Sequence, residues 1–323
     1  MSVRRLLAVL LLLVPPMFAS ACAELPSPPL PPVPALASSH PLAGRIWAPA
    51  DGRFVTPAEA VALLAGAGAV GLGETHDNPD HHALQAWLVA ALAAAGPAPT
   101  VAFEMIDQDR QGALDAARAG PLDQFGAAMA WEARGWPAWR LYQPIAAAAL
   151  AAGGRLAGAN LPAALTRPVA RGTAPAELIA RLGLDQPLPE AEQADLAEEI
   201  RASHCGLMPE AAIPGMVRVQ QARDASMAET VAALAGTGPV VLIAGAGHVR
   251  ADRGVPARLR RLAPGLVMRT VGLVEVAEGE TDPAAVAARF HAATVPFDLV
   301  WFTGRPERED PCAALRRRQG ATP

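Results

Sequence analysis

The sequence lacks the signatures of the most common enzyme classes. No Gly-x-Ser-x-Gly elbow, His-Glu-x-x-His helix or Walker loop occurs among its 323 residues, which argues against the usual serine hydrolases, zincins and P-loop nucleotide hydrolases. The segment Gly71–His76 comes within one residue of a dinucleotide fingerprint. However, His76 stands where the third glycine belongs, and Glu74 would place a negative charge against a pyrophosphate.

Several residue types are also scarce. The chain has no lysine, one tyrosine and three cysteines, and its net charge is −4. A negative net charge argues against nucleic acid as a partner, because nucleic-acid binding relies on neutralising phosphates with basic side chains. The apolar run Leu6–Val14 is too short to span a bilayer as a stable helix.

The N-terminus has the pattern of an export signal. Arg4 and Arg5 precede the apolar run, and Ala19–Cys22 provides a small-residue cleavage site, so residues 1–21 are predicted to be a signal peptide. Cys22 predicts a lipidated N-terminus, although Ala19 replaces the usual leucine and an ordinary signal peptidase could also cut here. Residues 22–41 are predicted to be the lipidated cysteine and a proline-rich tether, and residues 42–323 a single domain.

If Cys22 carries lipid, two cysteines remain. In an oxidising compartment, Cys205 and Cys312 are expected to pair as a disulfide. The alternatives are two separate thiols, or metal ligation by His204 together with Cys205.

Strand-like apolar runs alternate with helical segments along the domain. Good helix starts occur at Thr56-Pro57, with Glu59 three residues after the threonine, and at Asn78-Pro79. The strand candidates are residues 69–72, 100–104, 155–160, 240–244, 265–276 and 297–302. This alternation predicts an α/β fold with a mainly parallel β-sheet flanked by helices, and with an additional helical insertion.

Polar residues follow three of these strands. Glu74 and His76 follow the first, Glu104 ends the second, and His248 follows the run at residues 240–244. Because the C-terminal ends of parallel strands line one crevice, we expect these four side chains to meet there. Such a set can carry out acid–base chemistry or hold a divalent metal. The alternative for each histidine is a hydrogen-bonded loop residue, and His81 or His82 could simply be exposed.

The same residues support a family resemblance. The chain resembles the ChaN-type haem-binding lipoproteins from about Arg45 to Gly272. The matching segments are Gly73–His82 with Gln85, Glu104-Met105, Gly158–Pro162, Arg223-Asp224 with Met227-Ala228, and Gly245–Arg250 with Gly254–Pro256. This family is in turn similar to a wider superfamily with the Tiki/TraB proteases and the erythromycin esterases, in which equivalent Glu and His residues are catalytic.

The resemblance implies a function in haem or iron uptake. It implies an exported lipoprotein of a Gram-negative bacterium, anchored at the outer membrane and facing the periplasm or the cell surface, which serves an outer-membrane haem receptor or other uptake machinery. It also implies a homodimer around two stacked haems, bound as cargo, with iron ligated by tyrosine. The single tyrosine is Tyr142, which lies in a tryptophan-rich stretch beside Arg140, a candidate partner for a haem propionate.

Other interpretations remain open. Trp139, Tyr142 and Ile145 form a helix stripe typical of core packing, so Tyr142 is either the iron ligand or a structural residue. His76 and His248 are further candidate haem contacts. A second hypothesis is a hydrolase, with or without a divalent metal, in which Glu74 or Glu104 activates water and His248 stabilises developing charge. A third is a scaffold, which would not need four polar residues at one edge.

Overall fold

A computed structural model describes residues 30–32, 34–36 and 38–320. The predicted signal peptide and the lipidation site at Cys22 lie outside the described residues.

One mixed sheet forms the centre of the molecule. In the part of the chain that the structure describes, its eight strands are β1 (Ile46–Ala48), β2 (Arg53–Val55), β3 (Ala69–Glu74), β4 (Thr100–Asp107), β5 (Arg155–Asn160), β6 (Val240–Gly245), β7 (Met268–Glu275) and β8 (Leu299–Thr303). They are arranged in the order β2-β1-β8-β7-β3-β6-β4-β5. All pairs from β8 to β5 are parallel, which confirms the predicted α/β fold with a mainly parallel sheet.

Helices cover the sheet on both sides. Within the described residues they are α1 (Pro57–Ala65), α2 (Pro79–Ala95), α3 (Gln111–Ala117), α4 (Leu122–Ala128), α5 (Trp139–Ala151), α6 (Ala163–Arg171), α7 (Ala176–Arg181), α8 (Glu190–Ser203), α9 (Ile213–Ala235), α10 (Gly254–Leu262), α11 (Val286–Arg289) and α12 (Pro311–Gly320). None of these helices is both long enough and apolar enough to cross a membrane.

The two faces of the sheet carry different side chains. Along β3, Val70 and Leu72 pack under α1, α2 and α5, whereas Ala69 faces α9 and α10. Because both faces are covered, the central strands are apolar throughout instead of alternating with polar residues. The continuous apolar runs of the sequence follow from this burial.

The two helix starts predicted from the sequence are present. Thr56 caps α1 in a capping box with Glu59, and the Asn78 side chain accepts from the backbone N–H of Asp80 at the start of α2. These caps place α2 directly after β3, so that its first turn lies beside the end of that strand.

The predicted helical insertion follows β5. Helices α6, α7 and α8 pack mainly on the first half of α9 and form two small cores of their own. One is built around Val169 and Val219, and the other around Ile200 and Val217.

The edge formed by β1 and β2 was not predicted. These three-residue strands are antiparallel to each other, and β1 is antiparallel to β8. They carry too few residues to show a hydrophobic period, so only the tertiary structure reveals them.

The end of the proline-rich segment contacts the domain. The backbone N–H groups of Ala35 and Leu36 donate to the Asp80 carboxylate, at 2.6 and 3.2 Å. Elsewhere, Cys205 and Cys312 form a disulfide that joins the chain after α8 to α12.

Candidate functional site

The site lies at the C-terminal edge of three adjacent strands. Glu74 ends β3, Glu104 lies in β4, and the two flank β6, which ends at Gly245. The side chains of Glu74 and Glu104 are almost completely buried, with 0% and 3% exposure. A buried carboxylate is costly unless it is paired, so its partners define the site.

Glu74 has three partners. Its Oε1 lies 2.9 Å from Nδ1 of His76 and accepts a hydrogen bond of 2.7 Å from the Tyr142 hydroxyl. Its Oε2 lies 3.1 Å from Nδ1 of His82. Burial alone would raise the pKa of Glu74, but the charge of His82 and the hydrogen bonds from the two imidazoles hold that pKa well below its usual range.

His82 is a buried imidazolium. Its Nε2 lies 2.9 Å from the carbonyl oxygen of His76, while its Nδ1 faces Glu74 and Gln85 Oε1. Both ring nitrogens therefore face acceptors and both must carry hydrogen. Burial opposes this charge, but Glu74 outweighs it and raises the pKa of His82.

His81 differs from its neighbour. Its Nδ1 accepts from the backbone N–H of Thr75, and its Nε2 lies 2.8 Å from the Thr303 hydroxyl. This pattern describes a neutral ring, in line with the burial that lowers the pKa of His81 to about 4. Both His81 and His82 are buried, so the alternative that either is simply exposed is wrong.

A second carboxylate–imidazole cluster lies beside the first. Nδ1 of His248 is 2.6 Å from Asp224 Oδ1, and its Nε2 is 3.4 Å from Glu104 Oε1. Burial lowers the pKa of His248, but the charges of Glu104 and Asp224 outweigh this and raise that pKa to about 10. For the carboxylate of Glu104 burial acts in the opposite direction and raises the pKa, but His248 and further partners bring that pKa down to about 2.

Gly245 lies between the two clusters. Its backbone N–H donates to Glu104 Oε2 at 2.8 Å. A Cβ at this position would lie 3.3 Å from the His76 ring and 3.7 Å from the Glu104 carboxylate. The absence of a side chain thus lets the His76 ring approach the end of β6, so the four predicted residues meet at one edge.

His76 is the group that opens to solvent. Its side chain is 38% exposed, and its ring lies edge-on to Trp136 with centroids 5.3 Å apart. Nδ1 of His76 takes the hydrogen bond to Glu74, and Nε2 has no hydrogen-bond partner among the described residues. Burial lowers the pKa of His76, but the Glu74 hydrogen bond and the charge of Glu104 outweigh this and raise it to about 8.

Tyr142 lies beneath this site instead of lining it. The residue is fully buried, packed between His82 and Trp131, and its hydroxyl donates to Glu74. Burial and the neighbouring Glu74 charge raise the pKa of Tyr142 far above its ordinary value. An iron ligand must be an accessible phenolate, so this position favours the structural interpretation of Tyr142.

The other candidate haem contacts differ in accessibility. Arg140 is exposed on α5, and its guanidinium makes no hydrogen bond or ion pair to the described residues. His248 is only 15% exposed and has a carboxylate facing each ring nitrogen. Within the described part of the chain, no group of three or more His, Cys, Asp or Glu side chains is placed to hold a metal ion.

Two site residues were not identified by reasoning from local pattern. Asp224 lies in the middle of α9, where the only available signal was its place in the family motif Arg223-Asp224. Arg308 lies far along the chain and pairs with Asp77, the residue after His76, and with Glu275. No spacing rule relates either residue to its partner.

A comparison with known families identifies the chain. Residues 60–259, more than half of the sequence, match the family described as haem-binding uptake, Tiki superfamily, ChaN. The chain belongs to this family. The resemblance stated from the motifs is therefore confirmed, and the carboxylate–histidine edge is part of a ChaN domain. No curated protein sequence is significantly similar to the chain.

The structure of one family member has the same fold. ChaN of Campylobacter jejuni, in a structure of cofacial haem binding, is 21% identical with a TM-score of 0.64, over 79% of this chain and 95% of that one. The type III effector HopBA1 (14% identity, TM-score 0.45, 76% and 92% covered) and a mutant of the erythromycin esterase EreC (13%, 0.41, 81% and 82%) also match. With TM-scores below 0.5, these two likenesses carry no weight for function.

Proposed function

We propose that this ChaN-family protein is an exported haem-binding lipoprotein that serves haem or iron uptake. The observation that carries the proposal is the match of residues 60–259 to a family defined by haem-binding uptake. The geometry adds a solvent-open imidazole at the edge of the sheet, beside an aromatic ring.

The residues at this edge suit haem through His76 rather than Tyr142. A histidine that donates Nδ1–H to a carboxylate leaves Nε2 free as a ligand, and the carboxylate orients the ring and increases its basicity. Glu74 stands in that position behind His76. Trp136 offers an aromatic face, and the unpaired Arg140 offers a charge for a propionate.

The haem is cargo, and two copies of the chain are proposed to enclose a stacked pair. ChaN of Campylobacter jejuni binds haem cofacially. The His76 side chain is over one third exposed, so a macrocycle held at this open edge would remain partly open to solvent. A second protomer carrying the same edge would cover it, in the self-complementary manner of a two-fold dimer.

The test is a haemin titration of the processed chain, followed by absorption spectroscopy and sedimentation. We expect saturation at about one haem per chain together with a doubling of the molecular mass. His76→Ala should weaken binding at least tenfold and change the Soret band, because the iron loses its ligand. Arg140→Gln should weaken binding more modestly.

Two variants serve as controls. His291→Asn removes an exposed histidine far along the chain, and asparagine tolerates the positive φ of 49° at that residue. Tyr142→Phe removes the buried hydroxyl and should leave the haem spectrum unchanged. Weak, unsaturable binding of haemin by the wild-type chain would contradict the proposal. A change in the haem spectrum that occurs only in Tyr142→Phe would identify Tyr142, and not His76, as the iron ligand.

The proposed location is the outer membrane, through lipid on Cys22. The support is the N-terminal pattern of Arg4, Arg5, the apolar run and the small residues before Cys22. Cys22→Ala is expected to move the protein from the membrane fraction to the soluble fraction. Unchanged membrane association in this variant would contradict anchoring by lipid.

A second candidate function is hydrolysis, and one observation favours it. Two carboxylate–imidazole clusters lie side by side around Gly245. With pKa values held low, Glu74 and Glu104 are poor general bases, whereas His76, with a pKa raised to about 8, suits that role near neutral pH. The buried His248 imidazolium would stabilise developing negative charge.

The hydrolase hypothesis predicts turnover of ester or peptide probes by the purified chain. His76→Ala and Glu104→Gln should each abolish that turnover, while Arg140→Gln should leave it unchanged. Haem binding without any turnover, lost in His76→Ala but retained in Glu104→Gln, would favour uptake over hydrolysis.

A further inference from the structure

A cavity of about 260 Å³ lies between α7, α9 and α10, and its lining does not include Glu74, His76, Glu104 or His248. Its apolar wall includes Leu182, Ala225 and Ala228, and its polar side carries three arginines, Arg181, Arg258 and Arg261. A volume slightly below the roughly 300–1,000 Å³ of drug-sized pockets suits a small molecule rather than a macrocycle.

Arg258 is the unusual residue in this cavity. Its guanidinium makes no ion pair and no hydrogen bond to any described residue, and its Nη2 atom is buried without a partner. Arg250 and Arg253 also carry a buried guanidinium nitrogen without a hydrogen bond. Each of them nevertheless forms ion pairs with carboxylates, whereas Arg258 forms none with the described residues. A buried guanidinium donor without an acceptor is costly, so an acceptor from outside the chain is expected.

The charges around the cavity also favour an anion. Among the described residues that line it, Glu229 is the one acidic side chain, and this carboxylate already faces Arg181 at 3.7 Å. Asp224 and Glu192 act on Arg258 from beyond ion-pair distance and leave its donors unpaired. The cavity thus carries three guanidinium groups against one carboxylate.

We propose that this cavity binds a small carboxylic acid with a short apolar tail. The carboxylate would accept from Arg258 in the two-pronged manner that guanidinium groups favour, and the tail would lie along the wall formed by Leu182, Ala225 and Ala228. The proposal does not depend on haem binding, because none of the residues proposed to hold haem lines this cavity.

The test is calorimetric titration of the full processed chain with hexanoate. Hexanamide serves as the matched neutral probe, and inorganic phosphate as an anion without a tail. We expect one saturable site for hexanoate, with at least about tenfold weaker binding of both comparison probes. Arg258→Gln should weaken hexanoate binding about tenfold or more, because it removes the charge-assisted hydrogen bonds.

The matched control is Arg260→Gln. Arg260 is exposed on the same helix and donates to the carbonyl of Ala251, so its loss should leave hexanoate binding unchanged. Arg258→Lys keeps the positive charge and should bind hexanoate better than Arg258→Gln. If Arg258→Gln does not fold, the preference of the wild-type chain for hexanoate over hexanamide decides the question.

Three results would overturn the proposal. They are the absence of a saturable hexanoate site, equal binding of hexanoate and hexanamide, and unchanged binding in a folded Arg258→Gln variant. Phosphate binding as tight as that of hexanoate would overturn the assignment of an apolar tail.

Discussion

At the scale of single residues, the site is a set of buried charges that neutralise one another. Glu74 is balanced by His82, and Glu104 and Asp224 both face His248. Removing one member of such a set leaves a partner charged, buried and unpaired, which usually costs more than the pair contributes. The residues are therefore coupled, and a substitution at one is expected to change the protonation of the others.

The pH dependence of stability should reveal the charge on His248. Its pKa is raised from 6.5 to about 10 on folding, so the folded state holds the proton more tightly than the unfolded state. The stabilisation is then complete below pH 6.5 and is lost as the pH rises towards 10. We expect the free energy of unfolding of the wild type to fall relative to His248→Gln over this range.

The measurement is urea unfolding of the two proteins at several pH values between 6 and 10. The difference in unfolding free energy should shrink by at least about 1 kcal/mol across the range, since one unit of pKa shift corresponds to about 1.4 kcal/mol. Parallel stability curves would contradict a charged, paired His248.

Tyr142→Phe should separate stability from haem binding. The hydroxyl donates to a buried carboxylate, and hydrogen bonds to charged groups contribute about 1.5–3 kcal/mol. We expect a loss of this order in the free energy of unfolding, measured by urea denaturation, with the haem affinity changed less than about twofold. A fully stable variant with weakened haem binding would contradict the structural role of Tyr142.

The residues that form the site could largely be predicted from the sequence, but not which of their neighbours are buried and which are exposed. Glu74 ends β3 and Glu104 lies in β4, while His76 and His248 come shortly after β3 and β6, so their convergence follows from the sheet. Whether a side chain on a helix that packs beside the site faces the core or the solvent depends on how that helix is rotated about its own axis. This rotation buries His82 and Tyr142, and helical spacing alone could not distinguish a ligand from a packed residue.

At the scale of elements, a close contact joins α4 to α5. A Cβ added to Gly126 would lie 2.5 Å from Cβ of Trp139 and 2.7 Å from its Cγ. The Trp139 ring stacks on Phe125 and its Nε1 donates to the carbonyl of Leu122, so it has little freedom to move away. The glycine therefore allows the tryptophan-rich stretch to pack beneath the site.

Gly126→Ala is expected to destabilise the protein by about 1–3 kcal/mol, the usual cost of overpacking a core. Gly112→Ala is the matched control, because Gly112 lies exposed in α3 and a Cβ added there would meet nothing within 4 Å. There the helix propensity of alanine should stabilise by about 0.5–1 kcal/mol. Thermal and urea unfolding of both variants provide the measurement, and equal effects at the two sites would contradict the contact.

Elements with strong local signals were predictable and short ones were not. The starts of α1 and α2 follow from the sequence, because the residues that cap each helix lie within four positions of one another. They are Thr56 with Glu59 for α1, and Asn78 with Pro79 for α2. The strands β1 and β2 are three residues each; β2 pairs with β1, and β1 joins the sheet by pairing with β8. Such pairing joins residues about 250 positions apart, which no local pattern reports.

At the scale of the whole molecule, the C-terminal segment ties distant parts of the domain together. After β8, Arg308 pairs with Asp77 beside the site and with Glu275 at the end of β7. Cys312 then bonds to Cys205, just after α8 in the helical insertion. The segment thus links the central sheet, the site edge and the insertion.

Removing the disulfide should lower the stability of the entire domain. The bond joins residues separated by 107 positions, and loss of a native disulfide typically costs about 2–5 kcal/mol. Cys205→Ser with Cys312→Ser should lower the unfolding midpoint in guanidinium to that of the reduced wild type. If reductant shifts the double variant as well as the wild type, the effect cannot come from this bond.

The sequence by itself determined the α/β class, the helical insertion, the starts of α1 and α2, and the convergence of four polar residues at one edge. These properties depend on hydrophobic period, capping residues and the geometry common to all parallel sheets, which are local or general. The tertiary structure decided which groups are charged, buried or open: His76 at the surface, Tyr142 beneath it, Asp224 behind His248 and Arg258 without a partner. Those outcomes depend on helix rotation and on contacts between residues far apart in the chain, because burial and pairing set the electrostatics of each group.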